Sequence, residues 1–237
     1  SDDEPPMTTL LAIDASSSAC SVALWQDGVV TAERCEAPRQ HTQRMMPMIE
    51  ALLAAANLTL NDLDALAYGH GPGSFTGLRI AAGTIQGLAF GLDVPVIGVS
   101  TLAALSLQAH RLHHARFVLP MLDARMGELY TGAYRVVTRA DGEIEVEQVL
   151  PEQVCAPGLL ELPAALREHD WLAVGSGLVM HDELPESVRA SLALQLPEPQ
   201  PDAEAMVMLA AQAYARGEAV SAVEAQPVYL RNEVAWR

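Results

Sequence analysis

The strongest constraint on this fold is a repeated order of elements. An apolar run at residues 10–13 ends at Asp14, and a polar turn leads into a second run at 20–25. Asp27-Gly28, a tight-hairpin signal, opens a third run at 29–33. Helical spacing follows at 42–56, strand-like sequence at 65–68, a helix at 77–92, a strand at 94–99 and a helix at 101–112. The second pass starts at 117–122 and again stops at an aspartate, Asp123. A strand at 128–137 leads through Asp141-Gly142, another hairpin signal, to 144–150. A helix near 159–168, a strand at 171–174, a weak helix near 181–189, a strand at 192–196 and a helix at 203–216 complete it. Each pass reads βββαβαβα.

Three strands joined by hairpins and then strands separated by helices predict a mixed sheet with helices on its faces. Two such units in tandem predict an α/β protein of two ribonuclease-H-like lobes, the architecture of the actin, Hsp70 and sugar-kinase group. The lobes are placed at 7–113 and 114–237, with the last helix packing between them. Residues 1–6 (SDDEPP) are set aside as a tag scar or loose terminus.

Charge narrows the function. Formal net charge is −16, and all 14 basic residues are Arg. Without Lys there is neither a Walker-type phosphate lysine nor a Schiff-base lysine. So acidic a chain is poorly suited to gripping a nucleic-acid backbone by itself. The odd, widely spaced set Cys20, Cys35 and Cys155 gives no disulfide framework and suits a reducing cytoplasm. No secretory leader is recognised, and the most apolar helical run, 80–92, is too short to span a bilayer.

Asp14 and Asp123 close the first strand of each half. They are either ordinary turn residues or, with Ser16, the acids of a vestigial nucleotide cleft that would hold magnesium through water. The turn after Asp14 reads Ala15-Ser16-Ser17-Ser18, lacking the glycine amides of a phosphate loop. Gly69-His70-Gly71-Pro72-Gly73-Ser74-Phe75-Thr76-Gly77 stands between a strand and a helix. A helix start there offers amides to an anion. With no Lys or neighbouring acid to complete such a site, Gly71, Pro72, Gly73, Ser74 and Gly77 are assigned to a structural turn. His110, His113 and His114 close a helix in an Arg-flanked stretch and are read as a solvated helix end.

Two helices carry wider apolar stripes than one buried face needs. The first holds Met45, Met46, Met48, Ile49, Leu52 and Leu53, and the second holds Ile80, Thr84 and Leu88 beside Gly83, Gly87 and Gly91. Each glycine costs ~1 kcal/mol against alanine in a helix interior, so three on one face imply close approach of another backbone. Met45, Met46, Ile49, Leu52, Leu53, Ile80, Thr84, Gly87 and Leu88 are the candidate partner interface.

Leu11-Ala-Ile-Asp-Ala-Ser-Ser-Ser-Ala-Cys-Ser-Val-Ala-Leu24, His41-Thr42 with Pro47, Gly71-Pro-Gly-Ser-Phe-Thr-Gly-Leu-Arg-Ile80, Asp123-Ala-Arg-Met-Gly-Glu128 and Pro227-Val-Tyr-Leu-Arg231 together resemble the TsaB (YeaZ) family. The resemblance implies a paralogue of the transferase TsaD that pairs with TsaD through N-lobe helices. Within that system TsaC makes a threonylcarbamoyl-adenylate, and TsaD passes its threonylcarbamoyl group to adenosine 37 of tRNAs reading codons that begin with A. TsaE joins as a third protein, and ATP or ADP enters with the complex. A homodimer is expected when TsaD is missing, with tRNA held mainly by TsaD. TsaD carries a metal-binding His-x-x-x-His after its glycine turn, helix and strand. Thr101 and Leu105 stand at those positions here, so the resemblance implies a subunit without catalytic residues or metal. The competing expectations are an ATP-dependent kinase or ATPase of the same two-lobed fold, a metallopeptidase, and a homodimeric protein unrelated to tRNA.

Overall fold

The structure is a computed structural model, described here for residues 7–230. The set-aside residues 1–6 and Arg231 of the last motif lie outside that range. The chain divides into two compact units, one formed by residues up to Thr101 with Asp202–Val228 and the other by Leu102–Pro201 with Tyr229 and Leu230.

In the first unit, β1 (Thr9–Asp14), β2 (Ala19–Gln26) and β3 (Val29–Glu36) form an antiparallel meander, followed by α1 (His41–Ala55), β4 (Ala65–Gly71), α2 (Phe75–Leu92) and β5 (Val96–Ser100). The strand order is β3-β2-β1-β4-β5, with β4 and β5 parallel to their inner neighbours. The β2–β3 turn is the expected two-residue type, with positive φ at both Asp27 and Gly28.

The second unit repeats this plan. It contains α3 (Thr101–His113, all but its first residue), β6 (Phe117–Asp123), β7 (Leu129–Thr138), β8 (Ile144–Cys155), α4 (Ala164–Arg167), β9 (Trp171–Val174), α5 (Glu186–Arg189) and β10 (Leu192–Leu196). The order β10-β9-β6-β7-β8 is the first sheet's order again, with the same antiparallel and parallel pairings. Two ribonuclease-H-like lobes are therefore the fold. The helix expected near 159–168 shrinks to the single turn of α4, because Pro163 fixes its start and Gly158 and Pro157 occupy the residues before it.

Alternation in the first sheet separates two faces. Leu11, Ile13, Val22 and Leu24 point to one side, where Met45, Ile49, Leu52 and Leu53 of α1 and Ala81, Ile85 and Ala89 of α2 close a buried core. Leu10, Ala12 and Asp14 point to the other side, and the helix α6 (Ala203–Ala215) covers it. Asp202 caps α6 by accepting from Ala205 N at 2.9 Å, and Ala203 N donates to Ser21 Oγ at 2.9 Å.

This corrects the lobe boundaries read from sequence. α6 packs on the first sheet, and α3 from Leu102 onward packs on the second, where Leu102, Leu105 and Ala109 meet Val118, Leu122 and Val174. Each sheet is thus covered by the helix that follows the other sheet's last strand. A tandem reading of periodicity assigns each helix to the preceding strands and cannot register that exchange.

Candidate functional site

Asp14 ends β1 and is completely buried. Its Oδ2 accepts from Ser16 Oγ at 2.8 Å. Its Oδ1 is buried without a hydrogen-bond partner. Gly69 of β4 lies against that oxygen, and Met206 of α6 lies over Gly69. Burial pushes the Asp14 carboxyl up from 3.8 to about 7, against the lowering effect of Ser16 and with a further rise from Asp202. An acid meant to hold hydrated magnesium needs an ionised, reachable carboxylate. Asp14 is out of reach of solvent, and its burial opposes ionisation.

Asp123 ends β6 at the matching place and has a different environment. It is exposed, and its Oδ1 accepts from Arg125 N at 2.9 Å within the β6–β7 turn, where Arg125, Met126 and Gly127 all have positive φ. The two aspartates share a topological position, but one is a buried acid and the other an exposed turn acid.

The glycine turn is built against the β1–β2 turn. A Cβ on Gly77 would sit 1.7 Å from Ala15 O, and one on Gly73 would sit 2.8 Å from Ser16 O. Ser74 N donates to Ser16 O at 2.8 Å, and Ser74 Oγ caps α2 by accepting from Gly77 N at 3.3 Å. Two of the amides that a phosphate would use, those of Ser74 and Gly77, are therefore occupied, and glycine is required where two backbones meet. Gly71 and Pro72 are buried, and Thr101 Oγ1 donates to Pro72 O. Thr101 thus ties the turn to the start of α3, while Leu105 is buried in the second unit's core.

The helix stripes separate in the structure. Met45, Ile49, Leu52 and Leu53 are at most 6% exposed, so these four belong to the core and not to a contact surface. Met46, Ile80, Thr84 and Leu88 are half-buried, and Thr84 Oγ1 donates to Ile80 O within its own helix. Gly87 is exposed together with Gly83 and Gly91, and a Cβ on any of the three would meet nothing within 4 Å. Phe90, one helical turn from Gly87 and two from Gly83, is 60% exposed. The outer side of α1 is also small and open at Pro47, Ala51, Ala54 and Ala55. On α1, sequence periodicity picked out the side that the structure buries.

Sequence reasoning missed the strap of residues 220–228. Val220 exchanges two backbone hydrogen bonds with Val96 at 2.8 and 2.9 Å, Val228 N donates to His70 O at 2.7 Å, and Gln226 pairs with Tyr68 Oη. A cavity of about 360 Å³ lies between this strap and β4–β5, lined by Tyr68, His70, Gly98, Glu218, Glu224 and Gln226 among others. None of the candidate site residues lines it. Among the described residues, no three His, Cys, Asp or Glu side chains gather as a metal set. No described helix is long and apolar enough to cross a membrane.

A family model for TsaD, described as tRNA N6-adenosine threonylcarbamoyltransferase, matches residues 27–237. The chain is 43% identical over 231 residues to the tRNA threonylcarbamoyladenosine biosynthesis protein TsaB of Escherichia coli, covering 96% of both proteins. The chain belongs to the TsaB family. The Haemophilus influenzae TsaB is likewise 43% identical, over 97% of this chain and 96% of that protein. YeaZ from Pseudomonas aeruginosa superposes with a TM-score of 0.86 at 41% identity, covering 94% of this chain and all of that one. A further P. aeruginosa structure, described as similar to the peptidase YEAZ, gives the same TM-score at 42% identity. The two-lobed fold is thus shared with YeaZ.

Proposed function

We propose that this chain serves tRNA threonylcarbamoyladenosine biosynthesis as a non-catalytic subunit that binds and activates a TsaD-type transferase. The supporting observation is the open face of α2 in a chain so similar to TsaB proteins. Gly83, Gly87 and Gly91 lie in a row with no neighbour where their side chains would be. Mid-helix glycine is unfavourable, and a row of it lets a second helix approach backbone to backbone. The contact surface is the outer face of α2, with Ile80, Thr84, Gly87 and Leu88, flanked by Met46 and the small outer residues of α1.

The chemistry belongs to TsaD. Thr101 and Leu105 occupy the places where the resemblance puts TsaD's histidines, and neither supplies an imidazole to a metal. Asp14 is shut away and its carboxyl is pushed up to about 7 by burial, which disfavours the ATPase reading. A net charge of −16 leaves most of the tRNA to TsaD. TsaE completes a ternary complex in which ATP or ADP is handled, in the cytoplasm. Without TsaD, the same face pairs two copies of this chain, because an exposed apolar face favours cover.

Size-exclusion chromatography with purified TsaD tests the surface. The wild type co-elutes, and Gly87→Arg elutes separately with an unchanged circular dichroism spectrum. Co-elution of Gly87→Arg with TsaD contradicts the assignment.

A further inference from the structure

We propose that Cys20, Cys35, Met45 and Met48 form a binding site for one cuprous ion beneath α1. Cys20 and Cys35 are direct cross-strand partners of β2 and β3, so their side chains leave the sheet on the same side. That side faces α1. Cys20 Sγ lies 3.8 Å from Met45 Sδ, and Cys35 Sγ lies 3.6 Å from Met48 Sδ. Met45 and Met48 are three residues apart on one helix face. Strand register and helix period together set two Cys–Met sulfur pairs on neighbouring positions beneath α1.

The spacing and donor type select the ion. Metal–sulfur bonds of ~2.3 Å in a tetrahedron separate neighbouring sulfurs by ~3.8 Å, close to what both pairs already show. Thiols with thioethers are a soft donor set, and the thioethers favour Cu(I) over harder ions. Each thiol now donates its proton toward the facing thioether. The ion takes the place of those protons: Cu(I) and two thiols give a bis-thiolate complex and two protons released to water. No oxidant or reductant is consumed. Burial, then the neighbouring Cys35 and Asp14, push the Cys20 thiol up to about 12, so free thiolate is scarce and affinity rises with pH. Cys20 and Met45 are buried, whereas Cys35 and Met48 are half-buried, so the ion enters through the outer pair.

An anaerobic titration of the full chain with Cu(I) against a coloured cuprous chelator tests the site. One ion per chain is expected, with an X-ray absorption shell of sulfur alone at ~2.3 Å. Met48→Leu, a volume-conserving change, lowers affinity by at least the roughly tenfold that loss of a mere outer-shell partner costs. Cys35→Ser lowers it further, and Cys155→Ser in the other unit leaves it unchanged. The proposal is overturned if Met48→Leu binds as tightly as wild type, if binding follows Cys155, or if wild type binds no tighter than a Cys20→Ser/Cys35→Ser double variant. The last outcome includes protein whose two thiols have closed to a disulfide, seen as a mass lower by two hydrogens.

Discussion

A Cβ placed on Gly69 would lie 2.1 Å from Oδ1 of Asp14. The end of β1 and the middle of β4 therefore meet at a contact that tolerates only a hydrogen at position 69. Met206 Cε stands 2.9 Å from the same point and limits relaxation on the α6 side. Gly69→Ala overpacks this junction and should cost about 1–3 kcal/mol. In urea the unfolding midpoint falls while the slope stays the same.

Asp14 also gives stability a pH dependence of known sign. Its folded pKa, about 7, lies above its ordinary value of 3.8, so between those values the folded state holds a proton that the unfolded state has lost. The contribution is fully favourable below 3.8 and declines as pH rises through about 7, on the order of 1.4 kcal/mol per pH unit. Asp14→Asn keeps an acceptor for Ser16 Oγ and removes the titration. The stability of wild type minus that of Asp14→Asn should fall between pH 4 and pH 7. A flat difference over that window contradicts the buried, protonated acid.

The fold was largely legible because both halves carry the same local signals. Asp27-Gly28 and Asp141-Gly142 fix hairpins by turn chemistry, periodicity marks α1 and α2, and an Ala-rich apolar run marks α6. The destination of α6 was not legible. Its helical pattern says that Ala203, Met206 and Val207 face a core, but not that the core belongs to β1 and β4. The Tyr68–Gln226 and Val96–Val220 pairings span long loops of chain for the same reason. On α1, Met45 and Ile49 read as contact residues from sequence because apolar stripes mark a helix's buried face, whether the cover is its own sheet or a partner. Only the neighbouring strands decide between the two. On α2, the glycines stand out in sequence because glycine has no intrinsic helical advantage, and the structure leaves all three open.

That distinction predicts opposite behaviour for two helices. Ile49 is fully buried, and Ile49→Glu would place an unpaired charge in the first unit's core. The variant should lose its cooperative unfolding transition and not merely its partner. A folded Ile49→Glu with normal thermal unfolding contradicts the placement of α1.

Gly87→Ala should raise the stability of the isolated chain by up to ~1 kcal/mol, since the added methyl meets nothing and alanine favours the helix. The same methyl intrudes on any helix packed against α2. Calorimetry should therefore show a higher melting temperature alone and weaker binding to TsaD. Equal affinity for both forms would place the partner elsewhere.

The most direct test of the central claim is tRNA modification in vitro with TsaC, TsaD, TsaE, ATP, bicarbonate and threonine, with and without this chain. Threonylcarbamoyladenosine should form only when the chain is present, while the chain alone forms none. Equal product in its absence, or product from the chain without TsaD, would contradict a non-catalytic activating subunit.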